Sequence, residues 1–440
     1  MNMIDTAFRL IAGAAALASA APALAQSRCP EPLTQHYFVA RQPAVALLSK
    51  RYVEEKKAPG IVIAWACGDI KPTIISGGHV AAGPGAADVT PDTLWRVYSM
   101  TKPITAMAAM MLIEDGKLRL DQPIAEVIPA FKDMKVLTDP ASGLASRPAR
   151  MAITVRHLMT HTAGLGYSIV TKGPLLKEYE RLGILPAAVN TQLEADMAKV
   201  RPKSLVEFAN RTASLPLIAE PGTEWSYSIG LDVLGAVIEV ASGMSFESFV
   251  KTRLLDPLGM ASTYWTVPAS EVGRFASNYA FVGDNIVPFD PAATSVYLQP
   301  PSFAYGGAGL VMSAKDYDRF LHMLLNGGEL DGKRVMKAET VAIAMSDLLP
   351  SGVTFGGIDA ATGGTKGPKM GFGAGGSVSL EDVPGGPGKG TYGWGGAAGT
   401  LAWVDPKNGV RGTVMVNYFP ADKWPLRADV TRAVYSELKR

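Results

Sequence analysis

Val97-Tyr98-Ser99-Met100-Thr101-Lys102-Pro103-Ile104-Thr105-Ala106-Met107-Ala108-Ala109-Met110-Met111-Leu112 is the stretch on which the reading of this chain turns. It opens a long apolar helix at Ser99, with Pro103 tolerated in the first turn. A serine and a lysine three residues apart on a helix share a face, so Ser99 and Lys102 can bring their side-chain tips together. Both sit where unpaired backbone N–H groups concentrate positive potential. That potential favours an alkoxide and resists a second cation, so the tetrad suits a serine nucleophile beside a neutral, basic lysine. Spacing alone is unspecific. Ser436-Glu437-Leu438-Lys439 repeats the pattern on a terminal helix with Val430, Val434 and Leu438 inward, and a helix-cap serine followed by a solvated lysine also fits it.

Outward from the tetrad, Ile61-Val62-Ile63-Ala64-Trp65-Ala66-Cys67 reads as a buried strand ending at Gly68-Asp69. Two further strands are predicted at Thr400 to Val404 and Gly412 to Val416, joined by the turn Pro406-Lys407-Asn408-Gly409. A closing helix is predicted from about Trp424 to Lys439. Between the ends the chain is mostly helical. Leu231, Leu234 and Val237 recur at helical spacing, as do Tyr317, Phe320, Leu321, Leu324 and Leu325. The fold class predicted is α+β: an antiparallel sheet flanked by helices, built from both chain ends, with an inserted mainly helical domain. The divisions are residues 26–97 and 301–440 for the two parts of the α/β domain and 98–300 for the helical one. Residues 166–203 mix Pro, Gly, charge and apolar side chains and can cap a site. Residues 352–396 hold seventeen glycines, too many for regular structure throughout, and predict a long flexible loop leading into a strand.

The 440 residues are 48% hydrophobic and carry a net charge of +2, enough for a large core and no argument for nucleic acid or an anionic membrane as partner. The Ala-rich run Leu10 to Ala20 and the small residues Ala23-Leu24-Ala25 predict a signal peptide over residues 1–25, cut after Ala25, and a periplasmic or secreted location; a disordered Ala-rich tail is the alternative. No other run approaches the length of a membrane span. An oxidising compartment permits a Cys29–Cys67 bridge without requiring it. Two cysteines and five scattered histidines form no recognisable metal site, and no cofactor is expected. His157 and His161 stand at i, i+4 without the Glu of a His-Glu-x-x-His motif, and a structural role between helices is expected for both. No zipper or interface stripe specifies an oligomeric state.

Six stretches in order carry a resemblance: Val97 to Pro103; Ile153-Thr154-Val155-Arg156-His157-Leu158-Met159-Thr160-His161-Thr162-Ala163-Gly164-Leu165; Pro221-Gly222-Thr223-Glu224-Trp225-Ser226-Tyr227-Ser228; Leu258-Gly259-Met260; Gly306-Gly307-Ala308-Gly309-Leu310; and Tyr392-Gly393-Trp394-Gly395-Gly396-Ala397-Ala398-Gly399-Thr400. In these the chain resembles the serine β-lactamase and penicillin-binding-protein superfamily, most closely the class C β-lactamase-like family VIII carboxylesterases, over nearly all of its length after residue 25. The resemblance implies a nucleophile at Ser99, a proton relay through Lys102 and a catalytic tyrosine at Tyr227. A phenol holds its proton at neutral pH, with a pKa of about 10 when free, and a neighbouring lysine cation favours its ionised, basic form. Tyr167-Ser168-Ile169 repeats the tripeptide of Tyr227 and makes Tyr167 a rival base. By resemblance, the N–H groups of Ser99 and Ala397 form an oxyanion hole, and Trp394-Gly395-Gly396 edges the site, where glycine admits a substrate to the backbone.

Two departures bear on substrate. Trp394 replaces the lysine of the superfamily's Lys-Thr-Gly motif, forfeiting a charge-assisted contact worth roughly 1.5 to 3 kcal/mol. Ile229 replaces the asparagine of its Tyr-x-Asn motif, and none of the fourteen tyrosines begins that motif. Both changes leave a more apolar site, with Trp394, Gly395, Gly396, Tyr167 and Ile229 expected around a small-molecule ester. No Gly-x-Ser-x-Gly elbow is present, against an α/β-hydrolase. The function expected is therefore an exported serine esterase. A β-lactamase or D-amino-acid peptidase on the same fold is the alternative, and a non-catalytic acyl sensor a third.

Overall fold

The computed structural model describes residues 43–357 and 368–438. The predicted signal peptide and Cys29 lie outside these residues; Cys67, its candidate partner, is disulfide-bonded.

The main sheet has seven strands: β1 (Gly60–Cys67), β2 (Thr73–Gly78), β3 (Met370–Phe372), β4 (Ser377–Ser379), β5 (Tyr392–Gly395), β6 (Leu401–Asp405) and β7 (Val410–Met415), in spatial order β3-β4-β5-β6-β7-β1-β2. All neighbours are antiparallel, and β1 joins the two ends of the chain by pairing Val62 with Met415 and Cys67 with Val410. Both faces of β1 are buried, which is why its sequence is a continuous apolar run rather than an alternating one. Ile61, Ile63, Trp65 and Cys67 pack with Val45, Leu48 and Tyr52 of helix α1 (Pro43–Glu54), while Val62 and Ala64 join the larger core.

That larger core is centred on helix α2 (Thr101–Glu114), whose residues Thr101 to Leu112 are all buried. A helix apolar on every side has no solvent face and must lie inside the molecule. Helices α3 (Val155–Met159) and α4 (Gly230–Ser242) follow in the inserted region, and α2 and α3 both pack on α4. Helix α5 (Ala314–Leu325) covers the same face of the sheet, laying Tyr317, Phe320, Leu321 and Leu324 into the core. The last helix, α6 (Leu426–Glu437), sets Leu426, Val430 and Val434 beside α1 on the opposite face. Two ion pairs tie these layers together, Arg411–Asp318 between β7 and α5 and Arg96–Asp290 beneath the start of α2, with each side chain at most 5% exposed.

The glycine-rich segment 352–396 differs from its expectation. Instead of one loop it adds β3 and β4 to the sheet before β5. Strands this short are held by their neighbours' ladders rather than by their own propensity, which glycine lowers. Residues 166–203 likewise include two short helices, Gly173–Arg181 and Thr191–Met197.

Candidate active site

Ser99 lies in a single 3₁₀ turn, Tyr98–Met100, that runs directly into α2. Tyr98 holds a left-handed backbone, with φ of 43°. That conformation is costly for a bulky residue and is kept only where surrounding contacts enforce it. Here Asn278 Nδ2 donates to Tyr98 Oη at 2.8 Å, and Tyr317 Oη donates to Met100 O at 2.9 Å, clamping the turn from both sides.

Three expected residues converge. Lys102 Nζ donates to Ser99 Oγ at 3.2 Å, and Tyr227 Oη donates to the same oxygen at 2.7 Å. The Lys102 side chain is 0% exposed, with its nitrogen 4.7 Å from the Tyr227 ring centre and 5.6 Å from that of Tyr167. At such distances the ring faces attract the cation and stabilise it in the absence of water. Tyr167, the rival base, is buried behind the group and has no hydroxyl contact with Ser99; burial pushes its phenol well above the usual range. A serine hydroxyl held between a tyrosine oxygen and a lysine nitrogen can pass its proton, without moving, to whichever neighbour is deprotonated.

The Trp394–Thr400 turn docks directly on the nucleophile's segment. Gly396 leaves no room for a side chain, since a Cβ there stands 2.4 Å from Val97 O. Gly396 N donates to Thr400 O, and Arg427 Nη2 of α6 donates to Gly396 O at 2.6 Å. Ala397, the expected second oxyanion donor, projects from this turn and is exposed. Trp394 is buried in an aromatic cluster with Phe355 and Phe372, its ring centre 6.0 Å from that of Tyr227, rather than open to solvent. Ile229 departs from its expected place. It is fully buried in the main core and gives Gly166 O its N–H, because the chain enters α4 there and turns the side chain inward.

Three neighbours, His161, Asp232 and Gly307, were not singled out in the sequence as site groups. His161 packs its ring 4.8 Å from that of Tyr227 and places Nδ1 2.9 Å from Ser228 Oγ; burial, then the Lys102 charge, hold it well below the usual histidine range, so it stays neutral. It supports the tyrosine rather than the serine. His157 accepts at Nδ1 from Thr154 N and closes a capping box on α3. The other two are Asp232 and Gly307. Gly307 O accepts from Lys102 Nζ at 2.7 Å, and Gly307 N donates to Asp232 Oδ1 at 2.8 Å. The sequence signal for Asp232 was one acid in the otherwise apolar run Ile229 to Ile238.

With this geometry, the relatives of the chain are informative. Residues 45–435 match the Beta-lactamase family. Esterase EstB of Burkholderia gladioli is 33% identical over 365 residues, 78% of this chain and 83% of that one. Monacolin J acid methylbutanoyltransferase of Aspergillus terreus is 27% identical over 419 residues, 89% of this chain and 95% of that one. Among solved structures, "EstCE1, a hydrolase with promiscuous acyltransferase activity" superimposes with a TM-score of 0.73 at 26% identity, covering 90% of this chain and 100% of that one. The family match over residues 45–435 and the superposition over 90% of the chain together establish that this chain belongs to the β-lactamase family of serine hydrolases and acyltransferases and has its fold.

Proposed function

We propose that the protein is an exported serine carboxylesterase that cleaves neutral esters through an acyl-enzyme on Ser99. The observation that carries the reading is the single oxygen Ser99 Oγ, contacted by both Tyr227 Oη and Lys102 Nζ. In the proposed acylation, Tyr227 as phenolate takes the Ser99 proton while Oγ bonds to the ester carbonyl carbon. The tetrahedral oxyanion faces the N–H groups of Ser99 and Ala397. Tyr227 then returns the proton to the departing alkoxide as the C–O bond breaks. In deacylation a water gives its proton to Tyr227, its oxygen bonds to the acyl carbon, and Ser99 leaves with the proton restored. Lys102 stabilises the phenolate form throughout, and the coupled group shares its protons rather than assigning them to one residue.

The proposed substrate class rests on the residue that replaces the lysine. Trp394 stands where a lactam-binding lysine is otherwise expected, and it is buried in an aromatic cluster with Phe355 and Phe372, so that position offers an anion no cation. The lack of a cation there favours neutral esters, with short acyl groups or bulky apolar alcohols, over anions. The related methylbutanoyltransferase and the promiscuity named for EstCE1 favour a second reading, in which an alcohol replaces water as the acyl acceptor. Steady-state turnover of 4-nitrophenyl butyrate and nitrocefin, with and without added alcohol, tests both. Ester turnover that exceeds lactam turnover and is lost in Ser99→Ala supports the proposal. A transfer product forming faster than free acid supports the second reading, and preference for nitrocefin rejects the first.

A further inference from the structure

Lys102 Nζ is held by Ser99 Oγ and Gly307 O rather than by a direct carboxylate contact among the described residues. The nearest compensation lies one residue away. Asp232 is 1% exposed, sits in the first turn of α4, and accepts from Gly307 N. Gly306 O is fixed in turn by Thr105 Oγ1 at 2.7 Å. Residues 306–307 are thus pinned at three atoms, and neither position has space for a side chain. A Cβ on Gly306 stands 2.4 Å from Leu231 O, and one on Gly307 stands 2.7 Å from Asp232 Oδ2. A backbone carbonyl this constrained is a fixed acceptor, and what fixes it decides where the ammonium of Lys102 points.

We propose that Asp232 is a positioning residue for the esterase centre: by holding Gly307 it sets the carbonyl that aims Lys102 Nζ at Ser99, and its carboxylate balances the lysine charge across that residue. This rests on the esterase reading above. Burying a carboxylate without a direct counter-ion is costly, so a structural role alone is better served by an amide or an apolar side chain. The surroundings fit a working ionisation. Burial raises the Asp232 carboxyl to about 6, opposed by Lys102, by the Gly307 N–H and by Arg201. The other titratable groups facing it are Tyr167 and Tyr305, which stay neutral phenols because burial raises both. Lys102 therefore gains a negative charge behind it as pH rises through about 6 and loses that charge as pH falls through it.

The test compares wild type, Asp232→Asn, Asp232→Ala and Ser99→Ala with 4-nitrophenyl butyrate from pH 5 to 8.5, alongside melting temperatures. Asp232→Ala removes both charge and acceptor, and misaimed Lys102 should lower kcat about 100-fold with KM changed by less than about threefold. Asp232→Asn keeps an acceptor for Gly307 N and should recover about tenfold of that loss. The ratio of wild-type to Asp232→Asn kcat should fall toward one as pH drops through about 6, where wild type also becomes uncharged. A merely structural aspartate moves the melting temperature but not this ratio. A wild-type-like kcat in Asp232→Ala, an Asp232→Asn as impaired as the alanine variant, or a ratio independent of pH overturns the proposal. If Asp232→Ala does not fold, the ratio alone decides. Activity persisting in Ser99→Ala defeats the esterase reading itself, whereas an inactive Ser99→Ala beside a fully active Asp232→Ala defeats only the role of Asp232.

Discussion

Gly396→Ala isolates the link between the β5–β6 turn and the nucleophile. The glycine has no left-handed φ, so alanine suits its backbone and only space opposes it. The new Cβ meets Thr400 Oγ1 at 2.1 Å and Val97 O at 2.4 Å. The hydroxyl can rotate away. The Val97 carbonyl is backbone two residues before Ser99, so relief to the 3.4 Å of ordinary contact moves the turn from the nucleophile by about 1 Å. A displacement of that size in a reacting constellation costs about 100-fold. Losing one oxyanion donor costs about 100- to 1000-fold, or roughly 3 to 4 kcal/mol. Overpacking lowers stability by about 1 to 3 kcal/mol. The expected result is a folded protein with kcat for 4-nitrophenyl butyrate down at least about 100-fold and a modestly lower melting temperature. Gly273→Ala is the control, since nothing lies within 4 Å of its Cβ, and should match wild type. A Gly396→Ala enzyme within about threefold of wild-type kcat would refute the assignment of the turn to oxyanion stabilisation.

Three further predictions concern different parts of the molecule. Asp290→Ala strands Arg96, which now gives Asp290 Oδ2 its Nε–H at 2.7 Å, and should cost about 3 to 5 kcal/mol in denaturant unfolding; a loss below about 1 kcal/mol contradicts the importance of that pair. His157 is lowered to about 4 by burial, so its contribution to stability is complete above pH 6.5 and is lost as pH falls from there toward 4, by about 3 kcal/mol. His157→Asn keeps an acceptor for Thr154 N and should lack this component, so the stability difference between the two proteins must change with pH over that interval; a constant difference refutes it. Trp394→Lys should raise nitrocefin turnover relative to ester turnover by about 10- to 100-fold, the worth of a charge-assisted contact to the lactam carboxylate, and an unchanged ratio rejects the role given to Trp394.

The parts of the structure visible in the sequence are those set by local pattern. β1 is an apolar run whose predicted bounds agree with the structure to within a residue, α5 has regular helical spacing, and the turn between β6 and β7 carries its own Asn-Gly signal. Ser99 and Lys102 stand out by their spacing at the head of an apolar helix and Tyr227 only by resemblance, and the convergence of the three depends on packing α2 against α4, which no local pattern encodes. The short strands β3 and β4 were hidden because glycine lowers strand propensity and their order comes from neighbours already in the sheet. Ile229 was read as facing substrate because its motif position was transferred without the entry angle of α4, and that angle turns it into the core. Asp232 and His161 act through contacts to Gly307 and Ser228, far away in sequence, so their positions carried no spacing signal.

The central claim is a covalent acyl group on Ser99. Its most direct test is intact-mass measurement of the protein after rapid quenching with 4-nitrophenyl butyrate, followed by peptide mapping. The account predicts a single butyryl addition on the peptide containing Ser99, accumulating before steady state and missing in Ser99→Ala. An adduct mapped to another residue, or hydrolysis undiminished in Ser99→Ala, would contradict it.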